Sequence, residues 1–270
     1  MYLFLFQVVF ENFSILLKII LLSAIEGITE FLPISSTAHI LIVGHFINFE
    51  ITMEFLVGIQ AGAIFAVGFL YFTHIKQMLL EFITLKFNIV PKLALVTIPT
   101  CIIGFILSQF GYLELFPKNI INFSLIIGGV VMLFYQKTSG SVEKFEQITF
   151  KQAVIIGFFQ AIALIPGVSR SASVIVGGLF CNLKRNAAVE LSFLSGVPII
   201  LIATAFQLFK SCNNGVSVQN YTHLAIGFVF SFLFACLGIT ILKRLVKMQI
   251  DFKFFGIYRI IMGFVLFFIM

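Results

Sequence analysis

The sequence predicts an all-α polytopic membrane protein built as an inverted-topology repeat, each half holding one re-entrant helical hairpin and three transmembrane helices. Three observations carry that reading. The first is composition: of 270 residues, 60% are hydrophobic and 10% charged, with a mean hydropathy of +1.13. A soluble domain is about 25% charged and roughly 45–50% apolar. So apolar a chain cannot hide its hydrophobic residues in one core and still face water. A soluble globular protein, a disordered chain and a disulfide-stapled mini-domain are thereby excluded. The second observation is where the charges lie, and the third is a repeat at a fixed offset.

The elements follow in chain order. A bilayer core of about 30 Å takes roughly 17–25 helical residues, and six runs meet that, near 54–73, 93–110, 119–135, 187–208, 223–242 and 254–270. Residues 12–46 are apolar but carry Glu26, Glu30, Pro33, Ser35, Ser36 and His39. Residues 152–181 carry Gln160, Pro166, Gly167, Ser169, Arg170, Ser171 and Ser173. Each region reads as two short helices meeting at a proline. Broken backbone at membrane depth persists only where protein or a water-filled cavity satisfies it, so both are expected to be re-entrant. The first is long enough that two full spans are an alternative. No Lys or Arg precedes the first apolar run and Glu11 interrupts it, unlike a cleavable signal peptide.

Lys and Arg cluster on one side of this layout. Lys76, Lys86, Lys92, Lys137, Lys144, Lys151, Lys184, Arg185, Lys243, Arg244, Lys247 and Lys253 fall in loops on one face, against Lys18, Lys118 and Lys210 on the other. The bias is that of cytoplasmic loops and puts both termini outside. Net charge of +6 therefore reports orientation, with no nucleic-acid partner implied. Cys101, Cys181, Cys212 and Cys236 show no CxxC spacing and read as small hydrophobes. At a constant offset of 134 residues, Gly44 falls on Gly178, Gly62 on Gly196, Gly104 on Gly238 and Gly129 on Gly263. Ser35 falls on Ser169, Ala38 on Ala172 and Glu26 on Gln160. Residues 1–135 and 136–270 are thus the two repeats of one membrane domain. With three spans in each, the second runs upside down relative to the first, so the hairpin tips can meet near the midplane, where inverted-repeat proteins place their sites.

Two polar stretches hold the candidate chemistry. In residues 26–39, Glu26 and Glu30 share one helical face, and two carboxylates in a low-dielectric site repel unless a proton or cation intervenes. Ser35 or Ser36 can cap the helix after Pro33, whose first amides suit an anion. His39 shares a face with one or both serines, and hydroxyl, imidazole and carboxylate together equip a nucleophile and a general acid/base. In residues 165–173, Ser169 is placed to cap the next helix, and Arg170 offers a planar fork of donors matching phosphate oxygens. A salt bridge from Arg170 to Glu26 or Glu30 is its structural alternative. Gly167, Ser169, Ser171 and Ser173, with Ser35, complete a site for a phosphate-bearing lipid. Gln60 and Gln160 read as interhelical hydrogen-bond donors and acceptors, and His45, His74 and His223 as solvated residues near loop ends.

These stretches resemble the two motifs of the undecaprenyl-diphosphate phosphatase family, also called the bacitracin-resistance family. Glu26-Gly-Ile-Thr-Glu30 matches its first motif, continued by Phe31 through His39. Pro166-Gly-Val-Ser-Arg-Ser-Ala-Ser-Val174 matches its second, PGxSRSxxT. The resemblance covers essentially the whole chain. One departure is Val174, which replaces the motif's final Thr, with Ser173 one position earlier. The resemblance implies hydrolysis of undecaprenyl diphosphate to the monophosphate and inorganic phosphate. It implies a bacterial plasma-membrane location, a site open to the extracytoplasmic side, and a divalent cation, Mg²⁺ or Ca²⁺, held by Glu26 and Glu30. By the same resemblance, Arg170 and helix amides stabilise the transferring phosphoryl group, Ser36 or a water attacks, and His39 handles the proton. The expected partners are a polyprenyl diphosphate lipid and membrane lipid, and a homodimer is compatible with them. The rival reading is a lipid-carrier flippase or transporter, which shares the architecture. A phosphatidic-acid-type lipid phosphatase is excluded, because no Arg-Pro occurs and no His follows Ser169-Arg170 at its spacing.

Overall fold

The computed structural model describes residues 2–110, 118–135, 140–214 and 218–269. Lys137, among the expected basic loop residues, lies outside them, as do the side chains of Lys118, Lys210 and Cys212. The described chain is helical throughout apart from its connections: α1 (Tyr2–Phe31), α2 (Ser36–Phe46), α3 (Met53–Leu70), α4 (Phe72–Thr84), α5 (Val90–Gln109), α6 (Lys118–Phe134), α7 (Phe150–Ile162), α8 (Arg170–Phe180), α9 (Arg185–Asn214), α10 (Val218–Lys247) and α11 (Lys253–Ile269). Four are long and apolar enough to cross a membrane: α3, α5, α9 over Arg185–Phe206 and α10 over Tyr221–Lys247. Helices α6 and α11 run 17 residues each, about 25 Å at a 1.5 Å rise, the short end of a spanning length. This is a polytopic helical membrane protein.

Its exterior confirms the solvent it was built for. Phe69, Phe105, Ile127, Phe134 and Phe158 all stand outward and exposed, a surface that only lipid can cover at this density. The interior is packed around Phe31, Phe193, Val174, Leu191 and Ile239. Smaller clusters form around Ile19, Leu22 and Phe55, and around Ile121, Leu125 and Leu266. Helix α1 lies along α10, α3 packs on both α10 and α9, α5 lies along α7, and α6 pairs with α11.

Two helix breaks interrupt the bundle's interior. The first separates α1 from α2 at Pro33, and the second separates α7 from α8 at Pro166-Gly167. The second pair is short on both sides, 13 and 11 residues, as expected. The first is not: α1 runs 30 residues, because no proline precedes Pro33 to break it. The backbone turns differ too. Gly167 takes φ +89°, which glycine adopts freely, whereas Ser35 sits at φ +72°, a strained setting for a residue with a Cβ.

The expected basic loop 74–92 instead contains α4. Phe72, Ile75, Met78, Leu79, Phe82 and Ile83 form one apolar stripe at helical spacing, of which Ile75 and Met78 pack on the core while Leu79, Phe82 and Ile83 stand exposed. The helix ends where Leu85 turns left-handed, and buried Glu81 reaches forward to the start of α5. Its carboxylate accepts from the amides of Asn88, Ile89 and Val90 at 2.9–3.0 Å, supplying the cap that the first amides of a helix lack. Burial alone would push the Glu81 carboxyl up, but these amides, with Lys92 nearby, outweigh it and hold it below its usual range. A depressed pKa means stabilisation that is complete above the unfolded value of about 4.3 and lost as pH falls through the lower folded value. Glu81→Gln is therefore expected to lower the thermal midpoint of the purified protein at pH 7 and to shrink that difference progressively in acid. Midpoints measured for both proteins across pH 3–7 check this.

Candidate functional site

The two breaks meet. Arg170, first residue of α8, places Nη2 2.8 Å from Glu30 Oε1 near the end of α1. Its Nη1 donates to the Ser192 carbonyl of α9 at 2.5 Å. Room for the guanidinium comes from Gly196, where a Cβ would stand 2.5 Å from Nη1. The other Glu30 oxygen, Oε2, accepts from the Ser36 hydroxyl at 2.6 Å. One carboxylate thus joins the first residue of α2 to the first residue of α8. Ser171 adds a second tie between the breaks, donating to the Leu32 carbonyl at 3.0 Å while accepting from Ser169 at 2.9 Å.

The helix starts at the two breaks are satisfied differently. Ser169 caps α8 as expected, its Oγ accepting from the Ala172 amide at 3.2 Å. Neither Ser35 nor Ser36 caps α2. Ser35 holds the N-cap position, but at φ +72° its side chain makes no capping bond, and Ser36 is turned to Glu30. The positive end of α2 is left for another acceptor.

His39 meets Ser35, one of the two serines its spacing allows, through the backbone carbonyl and not a hydroxyl. Its Nδ1 lies 2.7 Å from the Ser35 carbonyl, which can only accept, so Nδ1 carries the hydrogen. Nε2 then accepts from the Tyr258 hydroxyl at 2.6 Å, with the two rings stacked at 5.6 Å. Both nitrogens are committed to holding the turn at Ser35. Glu26 is fully buried against Glu30 and Ser36, and neither of its oxygens accepts a well-formed hydrogen bond. That is an unusual state for a buried polar group.

A cavity of about 180 Å³ opens beside these groups. Glu30, Ser35, Ser36, Ser169 and Arg170 line it, joined by Gln60, Thr100 and Gln160, while Leu164, Val168, Ile199, Ile200 and Ala203 form an apolar wall. Glu26, His39, Gly167, Ser171 and Ser173 are not among the residues that line it. Val174 is fully buried in the apolar core, so the loss of the motif Thr leaves the cavity wall unchanged. Gln160 donates to the Val96 carbonyl at 3.0 Å, the interhelical bond expected of it, near Pro99, which lies inside the continuous helix α5. Sequence reading missed Thr100 in the wall. Its only signal was a hydroxyl next to a proline within an apolar span.

The fold and site define a polytopic membrane protein with a buried polar centre built from two helix breaks and bordered by an apolar wall. The family described as bacitracin resistance protein BacA matches residues 19–265, and the chain belongs to that family. Similar proteins include the undecaprenyl-diphosphatase of Persephonella marina, 39% identical over 257 residues, covering 93% of this chain and 97% of that protein. That of Wolinella succinogenes is 38% identical, covering 92% and 96%, and that of Methanococcus aeolicus 35%, covering 93% and 97%.

The Gly196 contact gives a direct test of the geometry. Gly196→Ala drives a methyl group into the Arg170 guanidinium and is expected to destabilise by about 1–3 kcal/mol, as overpacking does. Gly68→Ala, where a Cβ meets nothing within 4 Å, is expected to be neutral or mildly stabilising. Thermal midpoints of the two variants in one detergent check the contrast.

Proposed function

We propose that this chain hydrolyses undecaprenyl diphosphate to undecaprenyl phosphate and inorganic phosphate, recycling the lipid carrier for peptidoglycan synthesis and conferring bacitracin resistance. The observation that carries this reading is the Ser36–Glu30–Arg170 chain on the polar side of a cavity whose other wall is apolar. Such a cavity suits an amphiphile with a phosphate head and a hydrocarbon tail. The family and the names of its similar members agree.

Ser36 Oγ attacks the terminal phosphorus, and its proton passes to Glu30. The Oγ–P bond forms as the bond from phosphorus to the bridging oxygen breaks, and undecaprenyl phosphate leaves with that electron pair and the proton from Glu30. Water then attacks the phosphoserine, a proton returns by way of Glu30 to Ser36 Oγ, and inorganic phosphate departs. Arg170 and the uncapped amides of α2 stabilise charge on the phosphoryl oxygens. As Arg170 turns its donors to phosphate, Glu30 loses its counter-charge and becomes a stronger base. His39, held by Ser35 and Tyr258, keeps the Ser35–Ser36 turn in place and does not exchange a proton with Ser36.

The buried carboxylate of Glu26, which accepts no well-formed hydrogen bond, fits a divalent cation. Among the described residues no three His, Cys, Asp or Glu side chains gather to hold one. Glu26 and Glu30 would hold Mg²⁺ or Ca²⁺ as a carboxylate pair, in the way Mg²⁺ is commonly bound through one or two carboxylates together with phosphate oxygens and water. Bound there, such an ion supplies charge neutralisation for the diphosphate.

The inverted repeat of residues 1–135 and 136–270, with re-entrant hairpins around the two breaks, is part of the same reading. At the 134-residue offset α2 coincides with α8, Met53–Leu70 falls within α9 and Val90–Gln109 within α10. Contacts exchange accordingly: α1 packs on α10, and their counterparts α7 and α5 pack on each other. With the basic loops cytoplasmic, the termini and the cavity mouth belong to the extracytoplasmic side of the bacterial plasma membrane.

Purified protein in detergent is expected to release inorganic phosphate from undecaprenyl diphosphate. A lipid flippase of the same architecture releases none, and that result overturns the assignment. Ser36→Ala and Arg170→Lys are each expected to lower turnover by about 10²–10³, Lys keeping the charge but losing the planar fork. Glu26→Gln is expected to weaken the divalent-cation dependence. An unchanged metal titration at full activity would return Glu26 to a purely structural place.

A further inference from the structure

The two breaks are joined a second time, from behind, by a group that neither motif contains. Arg259 of α11 is 1% exposed, and its guanidinium donates to three backbone carbonyls. These are Pro33 at 3.4 Å, Ser124 at 3.2 Å and Gly167 at 3.3 Å. Pro33 is the break between α1 and α2, Gly167 the break between α7 and α8, and Ser124 belongs to α6, the helix paired with α11. The preceding residue, Tyr258, holds His39, so one turn of α11 grips the same region twice.

This placement is costly. A buried cation loses several kcal/mol of hydration, and the hydrogen bonds of Arg259 among the described residues go to carbonyl dipoles, none to a carboxylate. It also needs a glycine on the facing helix: a Cβ at Gly128 would stand 2.3 Å from Nη2, and glycine within a helix costs roughly 1 kcal/mol against alanine. A leucine at 259 would avoid both terms. What leucine cannot do is fix one break against the other. The bond between Glu30 and Arg170 spans the breaks through long side chains that the substrate must partly rearrange. The Arg259 bridge runs through backbone carbonyls on the side away from the cavity lining and stays intact.

We propose that Arg259 is a positioning residue for the hydrolysis, setting the separation of the Ser36 and Arg170 backbones so that nucleophile and phosphate clamp stay in register when Arg170 releases Glu30. It touches neither the cavity lining nor, on this reading, the substrate. The inference rests on the proposed phosphatase activity, and a displacement of about 1 Å at such a site can cost 10²-fold in rate.

The test measures phosphate release from undecaprenyl diphosphate by wild type, Arg259→Met and Arg259→Lys, with thermal midpoints recorded for each. Wild-type release establishes the underlying activity, and its absence fails that reading alone. Given release, Arg259→Met is expected to lower kcat by about 10²-fold with KM within about threefold, and Arg259→Lys to recover part of the loss. A folded Met variant with wild-type kcat overturns the proposal, as does a raised KM at unchanged kcat, which would put Arg259 on the substrate. Should Arg259→Met not fold, Gly128→Ala keeps the guanidinium but pushes it from its place. A lowered kcat at constant KM in that variant supports the inference, and wild-type kinetics overturn it.

Discussion

Glu30 accepts through both of its oxygens, one from a hydroxyl at the start of α2 and one from a guanidinium at the start of α8, and the polar centre is organised around that carboxylate. In a low-dielectric interior an unpaired carboxylate is prohibitively expensive, whereas one that is hydrogen-bonded and charge-balanced is tolerable. The pairing therefore draws the two breaks together for reasons of stability alone. It also leaves the Ser36 hydroxyl beside a base and the Arg170 fork at the edge of a cavity. Stability and reactivity are served by one contact, and an incoming phosphate that competes for Arg170 disturbs both.

The charges around the centre balance in number. Glu26 and Glu30 stand with Arg170, and Arg259 binds the backbone of both breaks. Of this set, Glu30 and Arg170 are joined by a direct salt bridge. Glu26 accepts no well-formed hydrogen bond, and Arg259 has carbonyls in place of a carboxylate. The centre thus holds one satisfied ion pair, a buried carboxyl beside it and, behind the breaks, a guanidinium bound to backbone carbonyls.

Much of this was legible in the sequence. Composition excluded water as the solvent, Pro33 and Pro166-Gly167 marked the breaks, and Glu30, Ser36 and Arg170 stood out as polar groups in apolar surroundings. What the sequence misplaced were matters of direction. Spacing put His39 on the face of one or both serines, and its Nδ1 does meet Ser35, but through the backbone carbonyl, while Nε2 meets Tyr258. The left-handed φ of Ser35 cancels the expected cap of α2. Helix α4 carries its apolar residues on one stripe, but His74, Lys76, Gln77 and Glu81 interleave with them along the chain, and it was their polarity, ahead of Lys86 and Lys92, that made the stretch read as loop. Arg259 and Tyr258 were illegible for a plainer reason. Nothing local reveals that a lone Arg in an apolar span meets carbonyls 92, 135 and 226 residues away.

That separation has a consequence for how the chain is made. Glu30 and Arg170 are 140 residues apart, and synthesis proceeds at roughly 5–20 residues per second, so on the order of ten seconds separate their arrival. During that interval the first half enters the bilayer with its carboxylates unanswered, and its break at Pro33 has no guanidinium from α11 to bind. Biogenesis must carry the early half through that wait, either with Glu26 and Glu30 protonated or under the shelter of the insertion machinery. The centre closes only once Arg259 of α11 is delivered, 226 residues after Pro33.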